Sequence, residues 1–248
     1  MTRALFLADI GTLAGLAPGD RFTLAGAEGR HAAAVRRIRA GEWIDVGDGA
    51  GRVASCEVLA AGPDTLGLRI DILSDVPPPV VALGLVQALA KGGRDEQAVE
   101  TATEVGVDVI VPWQARRSVV RWEGDRGEKA RRRWESITRE AAKQSRRRHV
   151  PQVEALRTTG QLAARITAAS LTLVLHENAT EPITAVGLPP AGEVLIVVGP
   201  EGGITDDEVA TLSEAGAVLV RLGTEVLRAS TAGPVALAYL ASRLGRWS

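Results

Sequence analysis

Apolar and polar positions change their spacing along this chain, and the change divides it into two parts. Up to about residue 73, short apolar-rich segments follow one another closely, and a glycine-rich turn over residues 47–51 separates two of them. Such spacing is typical of strands joined by tight turns, and it favours a compact β-barrel. The predicted strands are Leu5–Leu7, Arg21–Leu24, Glu42–Val46, Arg52–Leu59 and Thr65–Leu73.

One helix is predicted to interrupt these strands. It begins near Glu28, and its period directs Val35 and Ile38 toward the core. The remaining positions carry the arginines Arg30, Arg36, Arg37 and Arg39. Such a row is either a solvated helix face or an edge that contacts phosphates. We interpret it as a phosphate-contacting edge, because a second basic helix follows later in the chain.

The segment Ser74–Pro79 ends in three prolines and predicts a stiff linker between domains. Beyond it, apolar strands alternate with amphipathic helices, which indicates an α/β domain with a parallel sheet. The predicted strands are Val80–Ala88, Val107–Pro112, Leu171–Leu175, Val194–Val198 and Ala217–Leu222. The predicted helices cover residues 94–105, 127–146 and 161–168, a segment from Thr205, and a last segment through about Leu244. Residues 113–121 are predicted to be irregular. The domains are therefore predicted as 1–73 and 80–248, joined by 74–79.

Composition narrows the class of protein. The formal net charge of the 248 residues is -1, so no global basicity indicates a polyanionic partner. A single cysteine, Cys56, excludes an internal disulfide and fits a reducing compartment. No apolar run is long enough to span a bilayer, and the first residues do not resemble a signal peptide. We therefore expect a cytoplasmic protein that does not engage a membrane, and no residue pattern indicates a metal site.

The charge is unevenly distributed, because the helix predicted over residues 127–146 is strongly basic. Trp134, Ile137 and Ala141 form its buried stripe, and arginines occupy much of the remaining surface. The planar guanidinium fork suits bidentate contact with phosphate. A solvated helix face usually mixes both signs of charge, so this bias favours contact with nucleic acid.

The stretch from Val194 to Thr205 combines a β-branched apolar strand, a glycine-rich turn at Gly199–Gly203 and the start of a capping box. Strand, glycine turn and helix start can form a site for an anionic or nucleotide-like ligand at the carboxyl edge of a sheet. The alternative is a tight turn whose glycines serve backbone geometry alone. The stretch by itself leaves both interpretations open.

Polar or glycine-rich strings follow three predicted strands, and the carboxyl ends of parallel strands share one edge. These strings are His176–Asn178, Gly199–Gly203 and Leu222–Ala232. With Lys91 and Thr103–Gly106, and with Glu140–Ser145, Arg147 and Pro151, they resemble the SPOUT class of RNA methyltransferases, most closely its RsmE family. The similarity covers nearly the whole chain. Two positions depart from the family pattern. Thr101 stands where the family usually has lysine, and Lys143 stands where it often has glutamate.

The resemblance implies a trefoil-knotted parallel-sheet domain at the C-terminus, a PUA-like RNA-binding β-barrel at the N-terminus, and a homodimer. It further implies S-adenosyl-L-methionine as cofactor and 16S ribosomal RNA as substrate, methylated at N3 of uridine 1498. Two alternatives are a ribose-2′-O methyltransferase of the same class and a non-catalytic RNA-binding assembly protein. A dinucleotide-dependent oxidoreductase is disfavoured, because Lys91–Gly93 lacks the glycine spacing that such enzymes need.

The resemblance also assigns roles to residues. Arg228 would stabilise the developing negative charge on uracil, and Glu140 would accept the N3 proton, with His176 as an alternative base. Gln144 would recognise uracil, and Arg147 would hold phosphate. The predicted cofactor residues are Leu175, His176, Gly199, Pro200, Glu201, Gly202, Gly203, Leu222, Gly223, Leu227 and Arg228. The predicted RNA-binding residues are Arg30, Arg36, Arg37, Arg39, Gln144 and Arg147.

Overall fold

The computed structural model describes residues 3–247 and divides into two compact units. The first unit contains the chain up to Pro78 together with Ala142–Val150. The second contains Pro79–Ala141 and the chain from Pro151 onward. The change of pattern at the proline-rich segment thus coincides with a boundary between units. However, residues 142–150 belong to the first unit, whereas the domain bounds predicted from the sequence place them in the second domain.

The first unit contains a five-stranded sheet. Its strands are β1 (Leu5–Leu7), β2 (Arg21–Leu24), β3 (Trp43–Gly47), β4 (Arg52–Ala61) and β5 (Leu66–Asp75). They lie in the order β1-β3-β4-β5-β2, with β1 parallel to β3 and the other pairs antiparallel. Alternate residues such as Ile44, Val46 and Leu68 point into one core with Phe6. All five predicted strands are present, and β1 and β2 stand at the two ends of the order.

The helix of the first unit differs from its prediction. Regular helix α1 covers only Gly26–Arg30, and a π-helical turn continues over His31–Val35. The wider turn changes the direction in which later side chains point, because each residue advances less around the axis. Val35, predicted to face the core, is 68% exposed, whereas Ile38 packs against the core as predicted. The prediction for Val35 is therefore wrong.

The second unit is built on a parallel sheet, as predicted. Its strands are β6 (Val81–Ala88), β7 (Val109–Gln114), β8 (Gln152–Val153), β9 (Arg157–Thr158), β10 (Leu171–Leu175), β11 (Gly192–Val198) and β12 (Val218–Val220). They lie in the order β12-β10-β11-β6-β7-β8, and β9 also pairs with β7. Trp113 and Gln114 extend β7, although the sequence predicts an irregular segment there. The two-residue strands β8 and β9 were not predicted, because segments so short have no period.

Helices cover both faces of this sheet. They are α2 (Arg94–Val105), α3 (Gly124–Gln144), α4 (Thr159–Ile166), α5 (Asp206–Glu214) and α6 (Ala229–Arg243), with a short 3₁₀ turn at Ile183–Ala185. The apolar side chains of α6, such as Leu237 and Leu240, are buried in the same core as Leu85 and Ile196. This burial explains why α6 is more apolar than a one-sided helix. None of the helices in the described part of the chain has both the length and the apolar composition needed to span a membrane.

Candidate functional site

A cavity of about 620 Å³ opens at the carboxyl ends of β10, β11 and β12. Its volume lies within the range of small-molecule sites. Three loops, one after each strand, form most of its lining. The lining includes every predicted cofactor residue, namely Leu175, His176, Gly199, Pro200, Glu201, Gly202, Gly203, Leu222, Gly223, Leu227 and Arg228. The structure therefore brings residues from three separate sequence strings to one site.

Parallel pairing explains why these loops meet. Val174 of β10 lies opposite Val197 of β11 on one side and Leu219 of β12 on the other. The three strands therefore end at nearly the same level of the sheet. The His176 amide donates to the carbonyl of Val220 at 3.0 Å, which joins two of the loops just beyond the strand ends.

The glycines of the turn after β11 serve different purposes. Gly203 alone among the three has a positive φ, of 76°, which suits a residue without a side chain. A Cβ on Gly199 would lie 2.6 Å from Cγ1 of Ile204, and a Cβ on Gly202 would lie 3.1 Å from Cβ of Arg117. Two of the glycines thus make room for side chains of the protein itself, besides any space that they leave for a ligand.

The predicted capping box at the start of α5 is confirmed. The Thr205 hydroxyl accepts the Glu208 amide, and the Glu208 carboxylate accepts the Thr205 amide at 3.1 Å. The first turn also carries Asp206 and Asp207. An acidic first turn satisfies its own amides and disfavours an approaching anion. The site is therefore poorly suited to a phosphate at this helix end, and the anionic-ligand interpretation is not supported.

The Glu208 side chain makes further contacts beyond its own helix. Its carboxylate accepts the Arg116 amide at 2.8 Å and the Thr159 hydroxyl at 2.8 Å. Burial opposes ionisation of this carboxyl, but the hydrogen bonds from Arg116, Thr205 and Thr159 outweigh that effect and lower its pKa. Glu208 is therefore a buried anion that holds three segments of the second unit together.

Two polar side chains of the cavity have distinct surroundings. Arg228 is the N-cap residue of α6, and its carbonyl accepts the amides of Thr231 and Ala232 at 2.8 and 3.0 Å. Its exposed guanidinium remains available to a ligand in the cavity. The His176 Nδ1 accepts the Asn178 amide at 3.2 Å, so the neutral ring carries its proton on Nε2.

Comparison with known proteins assigns the chain to a family. The RNA methyltransferase domain matches residues 77–241, and the RNA methyltransferase PUA domain matches residues 24–71. A protein of Mycobacterium bovis named ribosomal RNA small subunit methyltransferase E is 48% identical over 226 residues, 90% of this chain and 86% of that protein. The chain belongs to the ribosomal RNA small subunit methyltransferase E family. The resemblance to the RsmE family is thereby confirmed. A member from Bacillus subtilis is 33% identical over 88% of this chain and 89% of its own.

Solved structures of two methyltransferases share the fold. The methyltransferase E of Neisseria gonorrhoeae, bound to S-adenosyl methionine, is 26% identical and covers 98% of each chain with a TM-score of 0.86. A putative methyltransferase of Legionella pneumophila, in complex with the same cofactor, is 25% identical and covers 98% of each chain with a TM-score of 0.87. The mixed α/β fold with a parallel sheet is thus that of methyltransferase E proteins.

The predicted RNA-binding residues lie on two segments of the first unit. Arg30, Arg36, Arg37 and Arg39 follow or end α1, within the residues that the PUA domain family matches, and all four are exposed. Gln144 and Arg147 belong to the segment 142–150. Lys143 joins this segment to α1 through an ion pair of 2.8 Å between its Nζ and Oε1 of Glu28. The fold therefore brings together two basic segments that are more than a hundred residues apart.

The predicted proton acceptor, Glu140, is not part of the cavity lining. It is an exposed residue of α3, one turn before the end of that helix. Three arginines outside the predicted set also line the cavity, namely Arg94, Arg117 and Arg221. Arg94 pairs with Glu201 at 3.1 Å, and Arg117 donates to the carbonyl of Gly202 at 2.9 Å. The only sequence signal for Arg117 is a basic pair in a segment without a period.

Proposed function

We propose that this chain transfers a methyl group from S-adenosyl-L-methionine to N3 of a uridine in 16S ribosomal RNA. The observation that supports it best is the cavity at the ends of β10, β11 and β12, which gathers all the predicted cofactor residues. Family members named for small-subunit ribosomal RNA match most of the chain. Relatives with the same fold bind the same cofactor.

The residues of the cavity fit this cofactor. Backbone groups of Leu175, Leu222 and the glycine turn would hold the adenosine and the methionine tail, and the apolar side chains would contact the adenine. The acidic start of α5 disfavours an anion at that end of the helix. When bound, S-adenosyl-L-methionine supplies a methyl group on a cationic sulfur.

The residues of the chain have to prepare the uracil. The N3 position carries a proton and is a poor nucleophile until that proton is removed. Loss of the proton spreads negative charge onto O2 and O4, which the Arg228 guanidinium would stabilise. Glu140 would accept the proton. His176 is the weaker alternative, because the Asn178 amide already occupies its Nδ1. Because Glu140 lies outside the lining of its own chain's cavity, its role requires the neighbouring subunit of a homodimer.

RNA binding is assigned to the first unit. Arg30, Arg36, Arg37, Arg39 and Arg147 would contact phosphate, and Gln144 would recognise the base. Each arginine that contacts a phosphate should contribute to the salt dependence of binding, so its replacement by alanine should reduce the salt slope by about one. Filter binding of 16S RNA over a range of salt concentrations measures this effect. An unchanged slope in all five variants would refute the assignment.

Finer features of the fold belong to the same proposal. These are a trefoil knot in the domain 80–248, closure of the domain 1–73 into a barrel, the linker 74–79, the homodimer and a cytoplasmic location. Val226, Leu227 and Val235 are exposed apolar residues near the cavity, which favours a subunit contact there. Analytical ultracentrifugation tests the homodimer.

Two measurements test the activity. Calorimetry should show that the protein binds S-adenosyl-L-methionine. Incubation with 16S RNA and the cofactor, followed by nuclease digestion and mass spectrometry of nucleosides, should yield 3-methyluridine. Primer extension should locate it at position 1498. A ribose-2′-O-methylated nucleoside would support the alternative reaction instead, and cofactor-independent RNA binding without any product would support a non-catalytic assembly protein.

A further inference from the structure

A series of hydrogen bonds links helix α5 to the glycine turn through the loop that follows β7. The Glu208 carboxylate, whose residue is only 5% exposed, accepts the Arg116 amide at 2.8 Å. The next residue, Arg117, directs Nη1 to the carbonyl of Gly202 at 2.9 Å. The loop itself is closed by the Ser118 amide, which donates to Ala115 at 3.0 Å. A buried carboxylate therefore holds the backbone from which Arg117 reaches the turn.

Arg117 also packs closely against the turn. A Cβ on Gly202 would lie 3.1 Å from Cβ of Arg117 and 3.5 Å from its Cδ, so the absence of a side chain at Gly202 allows this approach. A Cβ on Gly203 would lie 3.6 Å from Nη1 of Arg117. The turn is thus shaped around the Arg117 side chain, and the guanidinium anchors one of its carbonyls.

The turn has little internal support. Its own backbone bond is the Gly203 amide to the Pro200 carbonyl at 2.9 Å, and both Gly202 and Gly203 are exposed. Two successive glycines lose much conformational freedom when they are ordered. A ligand that binds an unordered turn has to supply that free energy, whereas a turn that is already ordered binds more tightly.

We propose that Arg117, held in place by Glu208, is a positioning residue that keeps the Pro200–Gly203 turn in the shape that binds the cofactor. The inference rests on the proposed function, because it takes S-adenosyl-L-methionine as the ligand of the cavity. Arg117 acts through the turn, so its loss affects the cofactor and leaves RNA binding unaltered.

The first experiment compares Arg117→Ala and Arg117→Lys with the unmodified protein. Arg117→Ala should raise the Kd and the KM for S-adenosyl-L-methionine about tenfold, as expected for one hydrogen bond from a charged donor. The KM for RNA and the melting temperature should not change. Arg117→Lys should recover part of the affinity, because lysine keeps a cationic donor. Arg133→Ala is the control for cofactor affinity alone, since Arg133 pairs with Glu96 at the surface and does not line the cavity.

The second experiment tests whether Glu208 acts through Arg117. Glu208→Gln should weaken cofactor binding, and the double variant Glu208→Gln/Arg117→Ala should bind the cofactor no more weakly than Arg117→Ala alone. If the losses of cofactor affinity in the two single variants add up in the double variant, Glu208 does not act through Arg117. Melting curves identify any variant that fails to fold. If a Glu208 variant does not fold, the comparison of Arg117→Ala with Arg117→Lys tests the positioning role of Arg117.

A third readout separates this inference from the proposed function. In the protein without ligand, the Gly203 amide, which donates to the Pro200 carbonyl, should exchange its hydrogen faster in Arg117→Ala than in the unmodified protein. If the unmodified protein does not bind S-adenosyl-L-methionine, the proposed function fails. If it does bind, and Arg117→Ala has the same affinity and the same exchange rates, the positioning role of Arg117 is overturned.

Discussion

Replacing Lys143 by methionine should destabilise the first unit, because it removes one half of a largely buried ion pair. Nζ of Lys143 lies 2.8 Å from Oε1 of Glu28, and the two side chains are only 9% and 12% exposed. The other carboxylate oxygen of Glu28 accepts the Leu7 amide at 3.3 Å. Removing one partner of a buried pair costs about 3–5 kcal/mol, because the remaining charge stays buried. Some contact with water places Lys143→Met near the lower end, at about 3 kcal/mol.

Chemical denaturation of the full chain measures the loss of stability. Hydrogen exchange of peptides from β1–β5 shows whether that loss belongs to the first unit. The variant Lys143→Met/Glu28→Gln should be less destabilised than Lys143→Met alone, because it leaves no unpaired charge. Arg69→Ala is a matched control, since Arg69 pairs with Glu57 at the surface of the same unit and should contribute less than about 1 kcal/mol. A loss for Lys143→Met no larger than that of the control would refute the reasoning.

Four further predictions follow from the same structure. Arg228→Ala should retain cofactor binding by calorimetry and lose methyl transfer, because the α6 cap uses its carbonyl and not its guanidinium; surviving activity would show that Arg228 is misassigned. Glu208→Gln should cost about 2 kcal/mol of unfolding free energy at neutral pH. Because folding lowers the pKa of Glu208, its stabilisation is complete above the ordinary value of 4.5 and is lost as the pH falls through the folded-state value, so denaturation of both proteins should converge in acid. Gly199→Ala should cost about 1–3 kcal/mol through its contact with Ile204, and thermal denaturation should show a smaller cost of Gly199→Ala in an Ile204→Ala background than in the unmodified protein. Arg37→Gly should stabilise the first unit by about 1 kcal/mol while it weakens RNA binding, because Arg37 has a φ of 55°; equal or lower stability would contradict the strain at this residue.

Prediction from sequence was most accurate where an element has a clear hydrophobic period or a recognisable capping motif. Helix α2 begins and ends at the predicted residues, and β10 has its predicted bounds. The capping box at Thr205 is also present as predicted. Each of these elements is specified by neighbouring residues, through alternation, helical period or reciprocal hydrogen bonds. The π-helical turn that exposes Val35 escaped prediction, because nothing in its local pattern distinguishes it from regular helix.

For the candidate site too, local features could be predicted from the sequence and long-range contacts could not. The sequence by itself determined the three strings that line the cavity, since each combines a strand end with glycines or polar groups, and it determined the family that these strings resemble. Only the tertiary structure decided that Arg117 donates to the Gly202 carbonyl, that Glu208 accepts the Arg116 amide, and that residues 142–150 join the first unit through Lys143 and Glu28. Those contacts join residues 85, 92 and 115 positions apart. Local periodicity reports which side of an element faces the core, but it carries no information about which distant side chain will meet it there.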